Sequence, residues 1–208
     1  MRELNKALAD ILEIRAQIAA GTSFRGYGPT TIAVTGILGL LTAALQAIRP
    51  DLFARSPSVF VLCWLGAAIL CAAAVRIEMQ GRSRRLHSHM ADAMINQAIE
   101  QFLPAAAASL FMPLFLLRFA PQAVWIIPGL WQLFASLGIF ASVRSLPRSM
   151  ALVGGWYFVS GFTCLLWAST TQSLSPWLMG APFFAGQMLM AAILHFSAQD
   201  GDEGSGDE

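Results

Sequence analysis

The chain has 208 residues, of which 56% are hydrophobic and only 12% are charged. Its mean hydropathy is +0.60, whereas about 25% of the residues of a soluble domain are charged. A soluble domain of this length would have several long apolar runs to bury and too little charged surface to solvate them. The composition therefore excludes an ordinary soluble domain and predicts an all-α polytopic membrane protein.

Residues 3–20 have the spacing of an amphipathic helix, with aliphatic side chains on one face and charged or polar side chains on the other. This segment is too polar to cross a bilayer. We expect it to lie in the interface or to dock on the cytoplasmic side of the protein. Arg15 falls in the middle of the apolar face, where its side chain either snorkels to lipid phosphates or forms a buried ion pair with an acidic partner.

A short connector with two glycines follows, residues 22–29 (TSFRGYGP). Phe24 and Tyr27 have side chains that favour a membrane interface, and Arg25 lies between them. A phosphate-binding loop is not expected, because the connector lacks the lysine of that motif and no strand precedes it. No apolar signal segment precedes the connector, so we assign residues 1–28 to a cytoplasmic unit.

Six apolar runs follow, and most are long enough to cross a hydrocarbon core of about 30 Å at 1.5 Å per residue. They cover about 30–48, 59–75, 104–119, 124–143, 151–169 and 177–196. The third run is short, and we expect it to take its first turns from residues 95–103. The pattern predicts a six-helix transmembrane domain over residues 29–197. Residues 198–208 are acidic and rich in Gly and Ser, which predicts a disordered tail.

One long polar interruption, residues 76–103, separates the second run from the third. We expect Arg82, Arg84 and Arg85 to lie on anionic lipid headgroups. From about residue 82 to residue 103 the pattern predicts a second cytoplasmic amphipathic helix. The polar face of this helix carries four candidate residues for docking a partner: His89, Asp92, Asn96 and Glu100.

The basic residues predict the orientation of the chain in the membrane. With a cytoplasmic N-terminus, ten of the thirteen Lys and Arg residues lie on the cytoplasmic side and three lie outside. The asymmetry and the even number of spans predict that both termini are cytoplasmic, in the cytoplasmic (inner) membrane of a bacterium. Trp125, Trp167 and Trp177 then lie near the outer interface, as an aromatic belt does.

Ionisable side chains are absent from the middle of every run, which argues against a proton relay or an ion-coupled transporter. Gln132 and Gln187 are costly side chains in lipid, so we expect them to face the bundle. Each follows a proline, Pro128 or Pro182, by about one turn. The two glutamines either hydrogen-bond between helices or line a path for a solute next to a broken helix.

The histidines suggest a metal site, but their spacing does not support one. On a helix His87 and His89 lie roughly 200° apart, so both rings cannot reach one metal ion. Whether His195 joins them is left open. The three cysteines lie inside apolar runs without a CxxC spacing, and no Ser-His-Asp order occurs. We therefore expect no catalytic residue, no cofactor and no metal. The RSRR segment is explained by membrane orientation, so no nucleic-acid partner is expected.

The distinctive sequence outside the runs lies on the predicted cytoplasmic side, while the outer loops are minimal. We therefore expect a non-enzymatic integral membrane protein whose cytoplasmic face docks a protein partner or senses the bilayer, in a regulatory or scaffold role. The candidate docking residues are Arg15, Phe24, Arg25, Tyr27, His89, Asp92, Asn96 and Glu100. The alternative is a small transporter or channel subunit for a neutral or weakly polar solute, which would use Gln132 and Gln187. A homo-oligomer is left open.

Overall fold

The computed structural model describes residues 28–53, 56–86, 89–143 and 149–203. Within these ranges the chain is helical, and no strand occurs. The helices are α1 (Pro29–Ile48), α2 (Pro50–Phe53), α3 (Pro57–Leu86), α4 (His89–Phe119), α5 (Ile127–Ser142), α6 (Met150–Thr171) and α7 (Pro176–Glu203), with a 3-10 segment (Pro121–Ile126) before α5. The predicted N-terminal amphipathic helix and nearly all of the connector lie outside the described residues.

Six helices of the described ranges are long and apolar enough to cross a membrane. They cover Pro29–Ile48, Pro57–Glu78, Ile99–Phe119, Pro121–Ser142, Met150–Thr171 and Pro176–Phe196. The predicted all-α fold with six spans is confirmed, and the chain is an integral membrane protein. The third span extends back to Ile99, because the short run borrows its first turns from the polar segment before it.

The polar interruption is shared between two helices. Helix α3 continues to Leu86, so residues 82–86 belong to the helix of the second span. Helix α4 then runs from His89 through Pro104 into the third span. A formed helix gains one hydrogen bond for each residue it adds, which favours extension beyond the apolar run. For the same reason α7 continues to Glu203, so residues 198–203 are helical where a disordered tail was expected.

Proline marks the start of four of the spans in the described ranges: Pro29, Pro57, Pro121 and Pro176. The first turn of a helix tolerates proline because its N–H would have no intrahelical acceptor there. At the other end of α6, Gln172 adopts a left-handed conformation with φ of 48° and donates its N–H to the Ala168 carbonyl at 2.7 Å. Pro57, Pro121, Pro176 and Gln172 therefore lie at the helix ends that flank the short connections between antiparallel neighbours.

The bundle has two halves. Helix α1 packs most extensively against α7 and also contacts α3, whereas α5 packs between α4 and α6. Helices α5 and α6 approach closely at two glycines, since a Cβ on Gly129 would lie 2.8 Å from the Gly161 carbonyl oxygen. Such close contacts between small residues are a common basis of helix association in membranes.

Each end of the bundle has its own packed core and its own cavity. We call the end where α1 begins the Arg76 end, because Arg76 lies there beside Ile32 and Ser142. The opposite end is the Gln172 end, where Gln172 lies near Pro57 and Val124. One apolar cluster, which includes Trp64, Ile127 and Trp131, packs toward the Gln172 end. A second, which includes Ile32, Met150 and Tyr157, packs toward the Arg76 end.

Candidate functional site

A cavity of about 540 Å³ lies between the two halves of the bundle, toward the Arg76 end. Each of the six long helices contributes at least one residue to its wall. The wall is mostly apolar: Ile32, Val75, Ile99, Phe102, Leu103, Ala106, Ile139 and Met190 all line it. We call this space the six-helix cavity.

Three polar side chains from three different helices meet in the wall of the six-helix cavity. The Gln187 amide nitrogen of α7 donates to the Tyr157 hydroxyl of α6 at 3.1 Å. The Thr35 hydroxyl of α1 lies 3.2 Å from the Gln187 amide oxygen. Gln187 therefore joins the two halves of the bundle, and its side chain is only half-buried, so it also borders the cavity.

A count of hydrogens leaves the Gln187 amide with a free donor. The Thr35 hydroxyl has one hydrogen and is closer to the Ile32 carbonyl, at 2.7 Å, than to Gln187. The Gln187 amide has two hydrogens, and the described residues offer it one acceptor, the Tyr157 hydroxyl. If the amide is turned over, its nitrogen faces Thr35 and one hydrogen is again left without an acceptor.

Tyr157 fits beside Gln187 because α7 has a glycine at the point of contact. The Tyr157 side chain is only 1% exposed, and a Cβ on Gly186 would overlap its ring. Its hydroxyl also donates to the Phe183 carbonyl at 3.3 Å, which satisfies the need of a buried tyrosine for a polar partner. The ring is therefore held from two sides, by a hydrogen bond and by close packing.

Pro182 explains a second set of contacts, between α7 and the neighbouring helices. A proline has no N–H, so the Leu178 carbonyl one turn earlier loses its usual partner. The Cys164 thiol lies 3.2 Å from that carbonyl, and the Gln132 amide donates to the adjacent Met179 carbonyl at 3.2 Å. Gln132 is 2% exposed and does not line the cavity. In the described structure Gln132 links helices, whereas Gln187 both links helices and borders the cavity.

A second cavity, of about 480 Å³, lies at the Gln172 end and is lined partly by Gln46. Gln46 is 2% exposed and accepts a hydrogen bond from the Trp64 indole at 2.9 Å. Its amide nitrogen lies 3.5 Å from the Phe60 carbonyl, and the side chain also hydrogen-bonds Cys63. Gln46 was not among the residues expected from the sequence to face the bundle. Its spacing after Gly36, Gly39 and Ala43 would have indicated the same inward face of α1.

Most of the predicted docking residues have side chains outside the described part of the structure. Arg15, Phe24, Arg25 and Tyr27 lie outside the described residues. The backbone of His89, Asp92 and Asn96 is helical in α4, and only their helical position is described. Glu100 is exposed on α4, one residue from a wall residue of the six-helix cavity. These residues stay a prediction.

Among the side chains that the structure describes, no group of three or more His, Cys, Asp or Glu residues could hold a metal ion. Comparison with protein-family models, with curated proteins and with solved structures gives no match for this chain.

Proposed function

We propose that the protein binds a weakly polar small molecule in the six-helix cavity and moves it through the bundle, as a small transporter or channel subunit. The observation that carries this proposal is the free amide hydrogen of Gln187 in an otherwise apolar cavity of about 540 Å³. Ligand cavities have volumes of roughly 300–1,000 Å³ and combine apolar walls with a few polar groups that fix orientation.

Because the ligand comes from a membrane, its polar groups and not its apolar surface determine how well the cavity binds it. A molecule that enters from lipid tails gains little from apolar burial alone, because the tails are as apolar as the cavity wall. A hydrogen bond to Gln187 is different, since lipid tails offer no donor; such a bond contributes roughly 1 kcal/mol net. The cavity should therefore prefer molecules that carry a hydrogen-bond acceptor on an apolar body.

The arrangement of the two cavities supports movement of a solute. One cavity lies at each end of the bundle, and contacts between the two halves separate them. There Gln132 of α5 donates to the Met179 carbonyl of α7, and the Cys164 thiol of α6 lies 3.2 Å from the Leu178 carbonyl of α7. A transporter alternates between access to the two sides of the membrane by rocking one half against the other.

Photolabelling tests the binding step directly. The purified protein in liposomes is irradiated with a fatty alcohol that carries a diazirine, and the labelled peptides are mapped by mass spectrometry. We expect label on the cavity-lining segments of α3, α4 and α7. Label distributed evenly over lipid-facing residues would show that the cavity takes no such molecule.

Two neighbouring alanines provide a matched pair of variants for this experiment. Both side chains are exposed, but Ala72 lines the six-helix cavity and Ala73 does not. Ala72→Phe should fill the cavity and abolish labelling of its wall, and Ala73→Phe should leave labelling unchanged. Both variants should give the same folded yield. Equal labelling of the two variants would contradict the proposal.

We also propose the orientation with both termini in the cytoplasm, in a bacterial inner membrane, with anionic lipid at Arg82, Arg84 and Arg85. The support for this orientation is the distribution of the basic residues, ten of which lie on the cytoplasmic side in it and three outside. Fluorescence of a C-terminal fusion to a protein that folds only in the cytoplasm tests it. A dark fusion of normal abundance would reverse the orientation.

A docking role for the cytoplasmic face is a second proposal. Its support is that Gln97 and Glu100 are exposed on α4, while Phe102 of the same helix lines the six-helix cavity. A partner bound to the exposed face would then influence the cavity through one rigid helix. Photocrosslinking from position 100 in native membranes should capture this partner. A failure to capture one, with an intact phenotype after deletion of residues 1–20, would remove this proposal.

A further inference from the structure

Arg76 distinguishes the six-helix cavity from an ordinary apolar pocket. Among the described residues that line the cavity, it is the one charged side chain. It is exposed, and no hydrogen bond or ion pair joins it to another described residue. A guanidinium without a partner among the described residues attracts an anion, and it holds carboxylates and phosphates well because its donors form a planar fork.

The position of Arg76 places this charge at the mouth of the cavity. It belongs to the second span, two residues before Glu78, where that span ends. Cys71 lies at the level of Thr35, with its sulfur 3.9 Å from the Thr35 carbonyl oxygen. Five residues of helix separate Cys71 from Arg76, which corresponds to about 7.5 Å along the axis. Arg76 is therefore about 7.5 Å further along the axis of α3 than the level of Thr35, whose hydroxyl lies beside the Gln187 amide.

Loose packing between α3 and α4 offers a side route to the cavity. Helices α3 and α4 follow each other in the chain, yet they contact each other less than any other pair of consecutive long helices in the described structure. Both line the cavity, α3 through Cys71 and Val75 and α4 through Leu103 and Ala106. A molecule in the leaflet at the Arg76 end can therefore reach the cavity between these two helices without crossing water.

We infer that the six-helix cavity takes a single-chain anionic amphiphile from this leaflet. Its acidic group pairs with Arg76, its alkyl chain lies along the apolar wall, and a neutral oxygen on the chain accepts the free hydrogen of Gln187. This inference rests on the proposed binding function and adds the substrate class. A volume of about 540 Å³ favours one chain over the two chains and headgroup of a phospholipid.

Competition against the diazirine fatty alcohol tests the inference. The competitors are decanol, decanoate and omega-hydroxydecanoate, with dioleoyl phosphatidate as a two-chain anionic lipid. We expect omega-hydroxydecanoate to compete best, then decanoate, then decanol, and phosphatidate to compete no better than a neutral phospholipid. Phosphatidate as effective as decanoate would assign the cavity to phospholipid and overturn the single-chain inference.

Variants assign each end of the ligand. Arg76→Gln should weaken competition by decanoate by at least about tenfold, because a charge-assisted hydrogen bond to the carboxylate is lost, and should leave decanol unchanged. Arg118→Gln removes an exposed arginine at the other end of the bundle and is the matched control. Gln187→Ala should remove the advantage of omega-hydroxydecanoate over decanoate.

The outcomes separate the inference from the proposed function. If the diazirine alcohol labels the cavity but decanoate competes no better than decanol, the anionic class is wrong and the binding function stands. The same conclusion follows if Arg76→Gln and Arg118→Gln have equal effects on decanoate. If the alcohol does not label the cavity wall at all, the binding function itself is wrong.

Discussion

The two cavities lie at opposite ends of the bundle and have similar volumes, about 480 and 540 Å³, but their glutamines differ. At the Gln172 end, Gln46 is 2% exposed and contacts Trp64, Phe60 and Cys63. At the Arg76 end, Gln187 keeps a free hydrogen and is only half-buried. Volume alone therefore does not indicate a ligand site. An unpaired polar group on the cavity wall indicates one, because a ligand can satisfy its hydrogen bond.

The largest effect is expected from a substitution that crowds the Tyr157 ring at the Arg76 end. Gly186→Val should lower the free energy of unfolding by about 3 kcal/mol, because overpacking a well-filled core costs roughly 1–3 kcal/mol, and a Cβ there overlaps the Tyr157 ring. Reversible unfolding in mixed micelles measures the change. Gly155→Ala is the control, since nothing lies within 4 Å of a Cβ there. A similar loss in both variants would show that the Tyr157 contact is not the cause.

The next largest effect separates the two glutamines. Gln46→Ala should cost about 2 kcal/mol of stability, because an unsatisfied buried donor such as the Trp64 indole costs roughly 1–3 kcal/mol. Gln187→Ala should cost less than about 1 kcal/mol, since the Thr35 and Tyr157 hydroxyls keep backbone acceptors. Labelling by the fatty alcohol should follow the opposite order, with the loss at Gln187. Equal stability losses would erase the distinction between the two ends.

A smaller effect is expected at Tyr157. Tyr157→Phe keeps the ring and removes a hydroxyl that makes two long hydrogen bonds, at 3.1 and 3.3 Å. Stability should therefore fall by about 1 kcal/mol, since one hydrogen bond contributes roughly 0.5–1.5 kcal/mol net. With its nitrogen toward position 157, the Gln187 amide then has no acceptor among the described residues for either hydrogen. Labelling of the cavity by the fatty alcohol should therefore persist in this variant. Its loss, in protein that still folds, would mean that the tyrosine hydroxyl is the group that binds the ligand.

The smallest effect is expected outside both cavities, at the exposed pair Arg49 and Asp51. Their side chains are 52% and 57% exposed and lie 3.1 Å apart. Asp51→Asn should change stability by less than about 0.5 kcal/mol, because exposed ion pairs contribute little. The same unfolding measurement provides the baseline for the larger effects. A loss above that of Tyr157→Phe would show that this turn stabilises the Gln172 end.

The spans and the inward-facing position of Gln187 could be predicted from the sequence, because hydropathy sets span length and a glutamine in lipid needs a partner. The cavity could not be predicted, since it arises where six helices fail to fill the space between them. Gln46 was missed because it lies near the end of its run, where polar residues are common. The place of Arg76 in the cavity wall could not be predicted, because counting charges gives a side of the membrane and not a neighbour.

Helix ends were also harder to predict than helix centres. The apolar run of the second span ends at residue 75 in the sequence pattern, but α3 continues to Leu86. Hydropathy detects where a helix leaves the lipid, whereas the helix itself ends where its hydrogen bonds end. Tyr157 shows a related limit. A tyrosine in an apolar run resembles an interface residue until Gly186, from another helix, is found against its ring.

Pro182 has a consequence for the order in which the bundle assembles. The α7 carbonyls near Pro182 accept hydrogen bonds from α5 and α6, through Gln132, Cys164, Trp156 and Tyr157. These two helices are synthesised before α7. An unpaired carbonyl is costly in lipid, so α7 is most stable in the bilayer after α5 and α6 are in place. We therefore expect α7 to insert stably only after α5 and α6. Removal of the hydrogen-bond donors on α5 and α6 should delay the insertion of α7 more than the insertion of α5 and α6.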